Sequence, residues 1–437
     1  MPSRSPLRAT LALAAFFALW PAAAFAQAPP AASPLDQIAD PARRAVFEQV
    51  WTTIRDQHFE PGDWNAVLER HAPRAAAAKD DSDFYLVVNA MLSELGQSHC
   101  VAAPPGTRKR AERATEVKPE AANAPREAGD PGIEIRAVDG VALVVAVAAG
   151  SPAAAAGVRP GSILQAVDGN PVEAPPGLDA PAHDRVEWIF ATMGLLSGPA
   201  GTPVRLTLAD APGQPAREVP VGRAPVASAS FGHLQGIPAS FTARRLDGGY
   251  AYLRLGSFFM SVFEKFQAAL RDVADAPGLV IDLRGNPGGL GIIAPGIVGF
   301  LVKERTNLGT SKMRQGELRY PVFPRPKPYL GPVAVLIDEA SASTSEILAA
   351  GLQELGRARV FGRTTAGMVL PSLIHKLPDG GILQFPMADF VTPQGKRLEG
   401  VGAVPDEVVD WTAEACRAGR DPALEAALAW LKKTTPH

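Results

Sequence analysis

Cysteine is almost absent from the sequence, which has only Cys100 and Cys416 in 437 residues. Two cysteines so far apart cannot form the disulfide framework of a small secreted domain, although an oxidising compartment would allow them to pair. No Cys/His spacing matches a zinc site, and there is no H-E-x-x-H helix. We therefore predict no metal centre, and no cofactor is expected.

An excess of charge is also lacking, since 43 basic and 45 acidic side chains give a net charge of −2. There is no block of like charge, so the sequence does not favour nucleic acid as a partner. There is no G-x-x-x-x-G-K-[ST] loop either, which removes support for nucleotide binding.

Long apolar runs are confined to the amino terminus. Arg4 and Arg8 precede an apolar run over residues 9–24, and Ala24-Phe-Ala26 is an A-x-A cleavage pattern. The run is short for a transmembrane anchor, and polar, proline-rich sequence follows it. The pattern predicts a secretory signal peptide, residues 1–26, and a periplasmic or secreted chain with no membrane span after cleavage.

The remaining length is enough for two to three domains. Composition and patterning divide it into five segments. These are a helical domain (37–103), a linker (104–131), a β-rich domain (132–224), an α/β domain (225–412) and a C-terminal helix (413–437).

Helical spacing is clearest near the start of the mature chain. Apolar residues recur at this spacing: Val46, Phe47, Val50, Trp51 and Ile54. A second helix is predicted over 84–95, with Gly96 as its stop. Ser98 and His99 follow at the junction that leaves this helix.

Strand patterns dominate the two following domains. The first has predicted strands at 132–135, 142–147 and 204–208, with a short helix at 150–157 and an irregular insertion at 171–184. The second has strands at 249–255, 279–283, 333–337 and 385–391, with helices at 263–273 and from the 341–346 run to 355. Buried apolar strands alternating with helices predict a largely parallel sheet covered on both faces.

Several motifs, in order along the chain, resemble one peptidase family. The segment Gly150–Gly169 is similar to part of a PDZ domain. Asp282–Gly289, Ser341–Glu346 and Glu399–Asp406 resemble the catalytic core of the C-terminal processing (tail-specific) serine peptidases. The resemblance implies an α/β and β multi-domain fold, with an N-terminal helical domain, a PDZ-like β domain and an α/β crotonase-like peptidase core.

The best-known branch of that family uses a serine–lysine dyad, which this chain lacks. Met368 stands at the lysine position, and Ser372 stands where that branch has a helper glutamine. A thioether cannot accept a proton, so the chain cannot use that dyad.

A second branch, which includes the tricorn core protease and the modules of interphotoreceptor retinoid-binding protein, matches better. It implies that Ser343 is the nucleophile and His99 the general base, with Ser98 and Glu399 in support. An imidazole suits the base because its ordinary pKa, about 6.5, lies near working pH. Ser98 would orient the ring, and Glu399 would act through a hydrogen-bonded relay.

Peptide hydrolysis also needs an oxyanion hole and a way to hold the substrate. The amide of Thr344 and that of Gly288 or Gly289 are the candidate oxyanion donors. Strand addition in the PDZ-like domain at Gly132-Ile133-Glu-Ile135 predicts polypeptide substrates bound through apolar C-termini.

The sequence leaves alternatives open at each position. Ser343 could be only a helix cap, or Ser341 or Ser345 could cap instead; Lys396 is a rival base, and His233 and His375 lie in the catalytic region. A catalytically inactive peptide- or ligand-binding protein is the alternative function, because relatives on this fold need not cleave anything. A peptidase that assembles its site only with a partner or after the PDZ-like domain is filled is a third reading, and a homo-oligomer stays open.

Overall fold

The structure, a computed structural model, describes residues 33–105, 127–177, 179–231 and 234–435. The predicted signal peptide, most of the predicted linker 104–131, and His233 lie outside these residues. Within the four ranges, none of the helices is both long and apolar enough to cross a membrane.

The described ranges contain ten helices, three 3₁₀ turns and 23 strands. The helices are α1 (Pro41–Gln57), α2 (Trp64–Ala76), α3 (Asp81–Leu92), α4 (Pro152–Ala155), α5 (Ala182–Leu196), α6 (Met260–Asp272), α7 (Ile293–Val298), α8 (Thr344–Glu354), α9 (Ala413–Arg417) and α10 (Pro422–Thr434), with 3₁₀ turns at Pro34–Gln37, Ser93–Leu95 and Asp247–Gly249. The strands are β1 (Val101–Ala103), β2 (Ala128–Asp130), β3 (Ile133–Val138), β4 (Val141–Val147), β5 (Ile163–Val167), β6 (Asn170–Pro171), β7 (Gly198–Pro199), β8 (Pro203–Ala209), β9 (Arg217–Gly222), β10 (Ala224–Pro225), β11 (Ser228–Phe231), β12 (Leu234–Pro238), β13 (Phe241–Arg245), β14 (Ala251–Leu255), β15 (Leu279–Asp282), β16 (Thr306–Met313), β17 (Glu317–Val322), β18 (Val333–Ile337), β19 (Arg359–Gly362), β20 (Ser372–Lys376), β21 (Ile382–Pro386), β22 (Ala388–Val391) and β23 (Glu407–Val408).

Helices α1 to α3 form the N-terminal unit that the spacing predicts. Each begins at an aspartate, Asp40, Asp63 or Asp80, whose carboxylate accepts backbone N–H groups of the first turn. After α3 the chain tightens into a 3₁₀ turn and leaves through Gly96, at φ +59°. The predicted stop at Gly96 is confirmed, and Ser98 and His99 come directly after it.

A three-stranded sheet joins this helical unit to the rest of the chain. Its order is β1-β21-β20, so a strand just after His99 pairs with one nearly 300 residues later in the sequence. Leu383 and Phe385 of β21 are buried in the same apolar cluster as the helices. The loop that carries His99 is therefore fixed by pairing with distant sequence.

The β-rich unit is an antiparallel sheet in the order β3-β4-β5-β8-β9, with β6 on β5. Helix α5 packs on it, burying Trp188, Ile189 and Leu196 against Ile133 and Ile135. The sequence predicted an irregular insertion over 171–184 and no helix after it. The structure has α5 at Ala182–Leu196, so this part of the prediction was incomplete. The exposed face of α5 carries Ala191, Gly194 and Leu195, which weakens the contrast of an amphipathic helix in the sequence.

The α/β unit contains the predicted largely parallel sheet, in the order β13-β14-β15-β18-β19-β23. All its pairings are parallel except that of β13, an antiparallel edge strand. Helices α6, α7 and α8 contribute to the large apolar cluster on one face, and α10 packs on the other. The prediction of a sheet covered on both faces is confirmed.

The predicted single strand over 385–391 was wrong. The chain forms two strands, β21 and β22, which belong to different sheets. Pro386 ends β21 and Met387 lies between the strands. Because proline has no N–H to continue a ladder, the chain changes sheets at this point.

Buried ion pairs join the β-rich unit to the α/β unit. Arg136 of β3 bonds Asp338 at 2.6 Å, and each side chain is only 3% exposed. The other oxygen of Asp338 accepts the N–H groups of Gly285 and Ala340. Removal of one partner from such a pair costs about 3–5 kcal/mol, so the pair fixes β3 against the loop after β18. Through Gly285, Asp338 also holds the loop after β15.

Candidate active site

Ser343 occupies a strained turn between the end of β18 and the start of α8. Its backbone has φ +56° and ψ −116°, a region that non-glycine residues rarely adopt. Such strain persists only where the surrounding structure fixes the conformation, and it concentrates at functional sites. The turn presents the Ser343 side chain at a partly exposed position.

The two neighbouring serines are different from Ser343. Both Ser341 and Ser345 are 0% exposed. The hydroxyl of Ser341 donates to the carbonyl of Leu283 at 2.8 Å, and that of Ser345 donates to the carbonyl of Asn286 at 2.9 Å. Their hydroxyls hold the loop after β15 in place, which leaves Ser343 as the accessible hydroxyl of the run.

Two glycines approach Ser343 from the loop after β15. A Cβ on Gly288 would lie 2.7 Å from the Cβ of Ser343, and one on Gly289 would lie 2.5 Å from the carbonyl oxygen of Phe258. Their φ angles of +100° and +144° are also suited to glycine. Glycine is therefore required at both positions for the loop to come so close.

The predicted oxyanion donors are not equally available. The Gly288 N–H donates to Asn286 Oδ1 at 2.9 Å. No group in the described part of the chain accepts the N–H of Gly289 or that of Thr344. Beside Ser343 the structure thus offers the amides of Gly289 and Thr344, while Gly288 supplies the close approach.

Ser98, His99 and Glu399 form one hydrogen-bonded network. Ser98 Oγ lies 2.7 Å from His99 Nδ1 and donates to Glu399 Oε2 at 3.1 Å. The backbone N–H of Ser98 donates to Glu399 Oε1 at 2.8 Å. Because the single hydroxyl hydrogen of Ser98 goes to the carboxylate, Nδ1 must donate to Ser98 Oγ. This assigns the neutral tautomer whose Nε2 has a free lone pair.

Neighbouring side chains fix the loop that carries His99. The backbone of His99 has a positive φ of +62°. The side-chain amide of Asn89 makes two hydrogen bonds to the backbone of Ala102. Nδ2 donates to the Ala102 carbonyl, and the Ala102 N–H donates to Oδ1, each at 2.8 Å. On the other side, Nε2 of buried His58 bonds Gln97 Oε1 at 2.9 Å. These contacts hold the chain before and after His99.

Burial lowers the pKa of His99 from its ordinary value to about 4. The ring is therefore neutral at neutral pH. A neutral imidazole with its lone pair on Nε2 can accept a proton from a serine hydroxyl.

Ser343 and the Ser98–His99–Glu399 network are linked through a short segment, residues 368–369. No hydrogen bond joins their side chains among the residues that the structure describes. The N–H of Ser343 lies 2.8 Å from the carbonyl of Met368, and the next residue, Val369, donates its N–H to Glu399 Oε2 at 3.0 Å. Residues 368 and 369 thus connect the serine turn to the histidine network.

Met368 packs with apolar side chains rather than with polar ones. It lies against a small cluster that contains Val186 of α5 together with Ala342 and Ala366. Ser372, the other position compared with the lysine branch, accepts a hydrogen bond from Gln384 at 2.8 Å. Neither residue contacts Ser343 through a side chain that can accept its proton.

We expect Met368→Leu to change kcat for a peptide substrate by less than about threefold, since a volume-conserving apolar exchange keeps the packing. Steady-state kinetics of the purified variant check this. Met368→Asp is the matched contrast, because it puts an unpaired charge into the same apolar cluster and should lower stability. A loss of more than about 30-fold in Met368→Leu, with stability unchanged, would give the thioether a role in the chemistry.

The rival bases lie in other environments. Lys396 is exposed, and its ammonium pairs with Glu354 at 3.3 Å. The ring of His375 packs edge-on against Phe385 in the β20–β21 sheet. His233 lies outside the described residues.

Of the positions predicted to bind substrate, Ile133 and Ile135 lie on β3, the edge strand beside α5, and Gly132 lies just before it. Ile133 and Ile135 are 2% and 0% exposed, so only their backbone is available to a peptide. The N–H of Gly132 already donates to the Asp130 carboxylate at 2.6 Å. A peptide carboxylate would have to displace Asp130 from this donor.

Metal ligands and disulfides do not contribute to the described site. The described ranges contain no cluster of three or more His, Cys, Asp or Glu side chains able to hold a metal ion. Cys100 and Cys416 are both free thiols, with Cys416 buried against the sheet of the β-rich unit.

Comparison with protein families assigns the α/β unit. The sequence profile described as peptidase family S41 matches residues 249–409, which include Ser343, both glycines and Glu399. Residues 249–409 are therefore similar to peptidase family S41. A second profile, the tricorn protease C1 domain, matches residues 40–93, which end five residues before Ser98.

Two curated proteins are similar to a larger part of the chain. Tricorn protease homolog 2 of Streptomyces coelicolor is 30% identical over 410 residues, which cover 89% of this chain and 32% of the relative. The carboxy-terminal-processing protease of Bartonella bacilliformis is 28% identical over 291 residues, covering 65% of this chain and 62% of the relative. The chain thus spans about a third and about three fifths of the lengths of these two relatives.

A solved structure extends the likeness beyond residues 249–409. The photosystem II D1 C-terminal processing protease is 25% identical, with a TM-score of 0.55, and the match covers 84% of this chain and 93% of that chain. The chain is therefore similar to a processing protease over its helical, β-rich and α/β units together.

One residue of the site was missed by sequence reasoning. No role was predicted for Glu346, the last residue of the Ser341–Glu346 run. Its carboxylate is fully buried and accepts the N–H of Ser343. The signal was present, because a serine followed three residues later by glutamate is a helix-start pattern in which the carboxylate reaches back to the first residue's N–H.

Proposed function

We propose that this chain is an exported serine-type endopeptidase, with Ser343 as nucleophile and His99 as general base. The observation that carries the proposal is the bridging position of the Ser98 hydroxyl, between His99 Nδ1 and Glu399 Oε2. That bridge holds the ring in the tautomer that a base requires, and residues 368–369 link its network to the strained, partly exposed Ser343.

The chemistry follows from the groups in place. His99 Nε2 takes the proton of the Ser343 hydroxyl as Oγ bonds to the scissile carbonyl carbon. The carbonyl oxygen becomes negative and accepts hydrogen bonds from the amides of Gly289 and Thr344, each worth about 3–4 kcal/mol in favourable sites. The imidazolium returns its proton to the leaving amine, and water then hydrolyses the acyl-enzyme by the same route.

Glu399 stabilises the charged intermediate without touching the ring. When His99 becomes an imidazolium, Nδ1–H still donates to Ser98 Oγ, and the Ser98 hydroxyl still donates to Glu399. The carboxylate charge is thereby coupled to the ring through one hydroxyl. This matters because burial alone disfavours the imidazolium, as the lowered pKa of His99 shows.

Substrate C-termini are proposed to bind in a PDZ-like manner along the edge of β3. A peptide strand added there would run beside α5, and the loop at Gly132 would meet its carboxylate. Relatives named carboxy-terminal-processing proteases support this part of the proposal. Export rests on the amino-terminal pattern. Recovery of the protein from the host with residues 1–26 still attached would refute it.

Single-turnover hydrolysis tests the proposed function directly. The mature chain, in excess, is mixed with an unstructured polypeptide that ends in apolar residues and with the same polypeptide carrying a C-terminal amide. Cleavage of the free-carboxyl form, with slower cleavage of the amide, is the expected result. Equal rates would remove the proposed C-terminal recognition, and no cleavage of either would remove the peptidase.

A second candidate is a peptide-binding protein that does not cleave. The observation that favours it is the lack of a hydrogen bond between Ser343 and His99 in the described residues. Saturable binding of the free-carboxyl polypeptide, with no turnover and no reaction of Ser343 with a fluorophosphonate, would support this candidate instead. Turnover at any measurable rate that disappears in Ser343→Ala would reject it.

A further inference from the structure

Glu346 is a buried carboxylate next to the serine turn, and each of its oxygens accepts two hydrogen bonds. It is the third residue of α8 and is 0% exposed. Oε1 accepts the Thr365 hydroxyl at 2.6 Å and the Gly367 N–H at 2.8 Å. Oε2 accepts the Ser343 N–H at 2.9 Å and the Met368 N–H at 3.0 Å. All four partners are donors, so both oxygens act only as acceptors.

No cation accompanies this buried carboxylate. Among the described residues, no arginine, lysine or histidine forms an ion pair with Glu346. The ionisable groups on neighbouring elements, Asp338, Arg363, Glu399 and His99, make their hydrogen bonds and ion pairs with other groups. Backbone and hydroxyl dipoles alone stabilise the charge on Glu346.

Two carboxylates hold consecutive amides of the segment between the serine and the histidine. Glu346 accepts the N–H of Met368, and Glu399 accepts the N–H of Val369. Glu346 also accepts the N–H of Ser343, while Glu399 accepts that of Ser98. The relative placement of the serine turn and the histidine network therefore depends on both carboxylates.

We propose that Glu346 is a positioning residue that fixes Ser343 relative to the Ser98–His99 pair, and that it does so as a carboxylate. This inference rests on the proposed function. An amide in its place would point its N–H₂ group either at the N–H groups of Ser343 and Met368 or at the N–H of Gly367, and a protonated acid would lose acceptor capacity on one oxygen. In either case at least one of the four bonds is lost, and the turn that carries Ser343 loosens.

The ionisation of Glu346 should then control activity on the acid side. Burial raises its pKa from the ordinary value near 4.5 to about 7, although the four donors oppose this rise. The carboxylate forms as pH rises through about 7, so kcat should fall below that pH. His99, with its pKa lowered to about 4, stays neutral over the same range.

The effect on stability has the opposite sign. Because the pKa of Glu346 is higher in the folded chain than in the unfolded chain, the folded state binds the proton more tightly. The contribution of Glu346 to stability is therefore fully present below its unfolded pKa, and it is lost as pH rises through about 7. Activity and this part of the stability should change in opposite directions between pH 5 and pH 8.

The test measures kcat and KM of the full mature chain from pH 5 to pH 9. For Glu346→Gln we expect kcat to fall about 100-fold at pH 8, KM to stay within about threefold, and the acid limb near pH 7 to disappear. Thr365→Val removes one donor to the carboxylate and should move that limb to higher pH. Glu264→Gln, at an exposed position of α6, is the control and should match the parent chain.

Thermal unfolding gives a readout that does not need turnover. We measure the melting temperatures of the parent chain and of Glu346→Gln and take their difference, parent minus variant. This difference should be at least about 2 °C smaller at pH 8 than at pH 5.5. If the parent chain cleaves nothing, the peptidase proposal fails while this difference still reports the ionisation. A pH-independent difference, or an acid limb that neither Glu346→Gln nor Thr365→Val changes, would overturn the role of Glu346.

Discussion

His99→Ala and Ser343→Ala are each expected to lower kcat by about 10⁴-fold or more, in single-turnover cleavage of an internally quenched peptide at pH 8. The first variant removes the group that accepts the proton, and the second removes the attacking oxygen. Because the two act as a unit, the double variant should be no slower than either single variant.

The control for this pair is His375→Gln. His375 packs against Phe385 in the β20–β21 sheet, outside the network of His99. Its replacement should change kcat by less than about threefold. Cleavage that persists in His99→Ala and is lost in Ser343→Ala would show that another group takes the serine proton.

Gly288→Ala should lower kcat by about 10²–10³-fold while the chain still folds. The new methyl group would lie 2.7 Å from the Cβ of Ser343, so the serine turn or the glycine loop must move. Either movement displaces the oxyanion donors from the carbonyl oxygen, and the loss of one such donor has an effect of this size.

The matched control is Gly316→Ala, in the turn between β16 and β17. Gly316 also has a positive φ, +85°, but an added Cβ there meets nothing within 4 Å. Its replacement introduces backbone strain of about 1–2 kcal/mol without a clash at the site. Equal kcat losses in both variants would mean that strain, and not the approach to Ser343, causes the effect.

The sequence predicted the elements that carry the serine better than the contacts that distinguish it. The strand–turn–helix around Ser343 follows from local apolar patterning, and the structure confirms it. Choosing Ser343 over Ser341 and Ser345 on physical grounds needs burial, because only the structure shows both neighbours bonded inside the loop.

The histidine network could not be predicted from local sequence. Ser98 and Glu399 are 301 positions apart, and the pairing of β1 with β21 is part of what brings their segments together. Neither strand was predicted with its correct partner, since long-range pairing leaves no periodic signal in either segment. The resemblance to a known family supplied these residues, and their roles stay predictions.

Two further differences have local causes. Helix α5 was missed because its exposed face carries Ala191, Gly194 and Leu195, so apolar and small residues are not confined to its buried face. The oxyanion donors were left as Gly288 or Gly289 because sequence does not show which amide is occupied. The structure places the Gly288 N–H on Asn286, a contact between residues only two positions apart.

Covalent labelling of Ser343 is the most direct measurement of the central claim. The mature chain is treated with a fluorophosphonate, and the modified peptide is identified by mass spectrometry in the parent chain and in His99→Ala. We predict that Ser343 alone is labelled among Ser341, Ser343 and Ser345, and that the rate falls at least about 100-fold without His99. Labelling of another serine, or an unchanged rate in His99→Ala, would contradict the assignment of Ser343 and His99 as nucleophile and base.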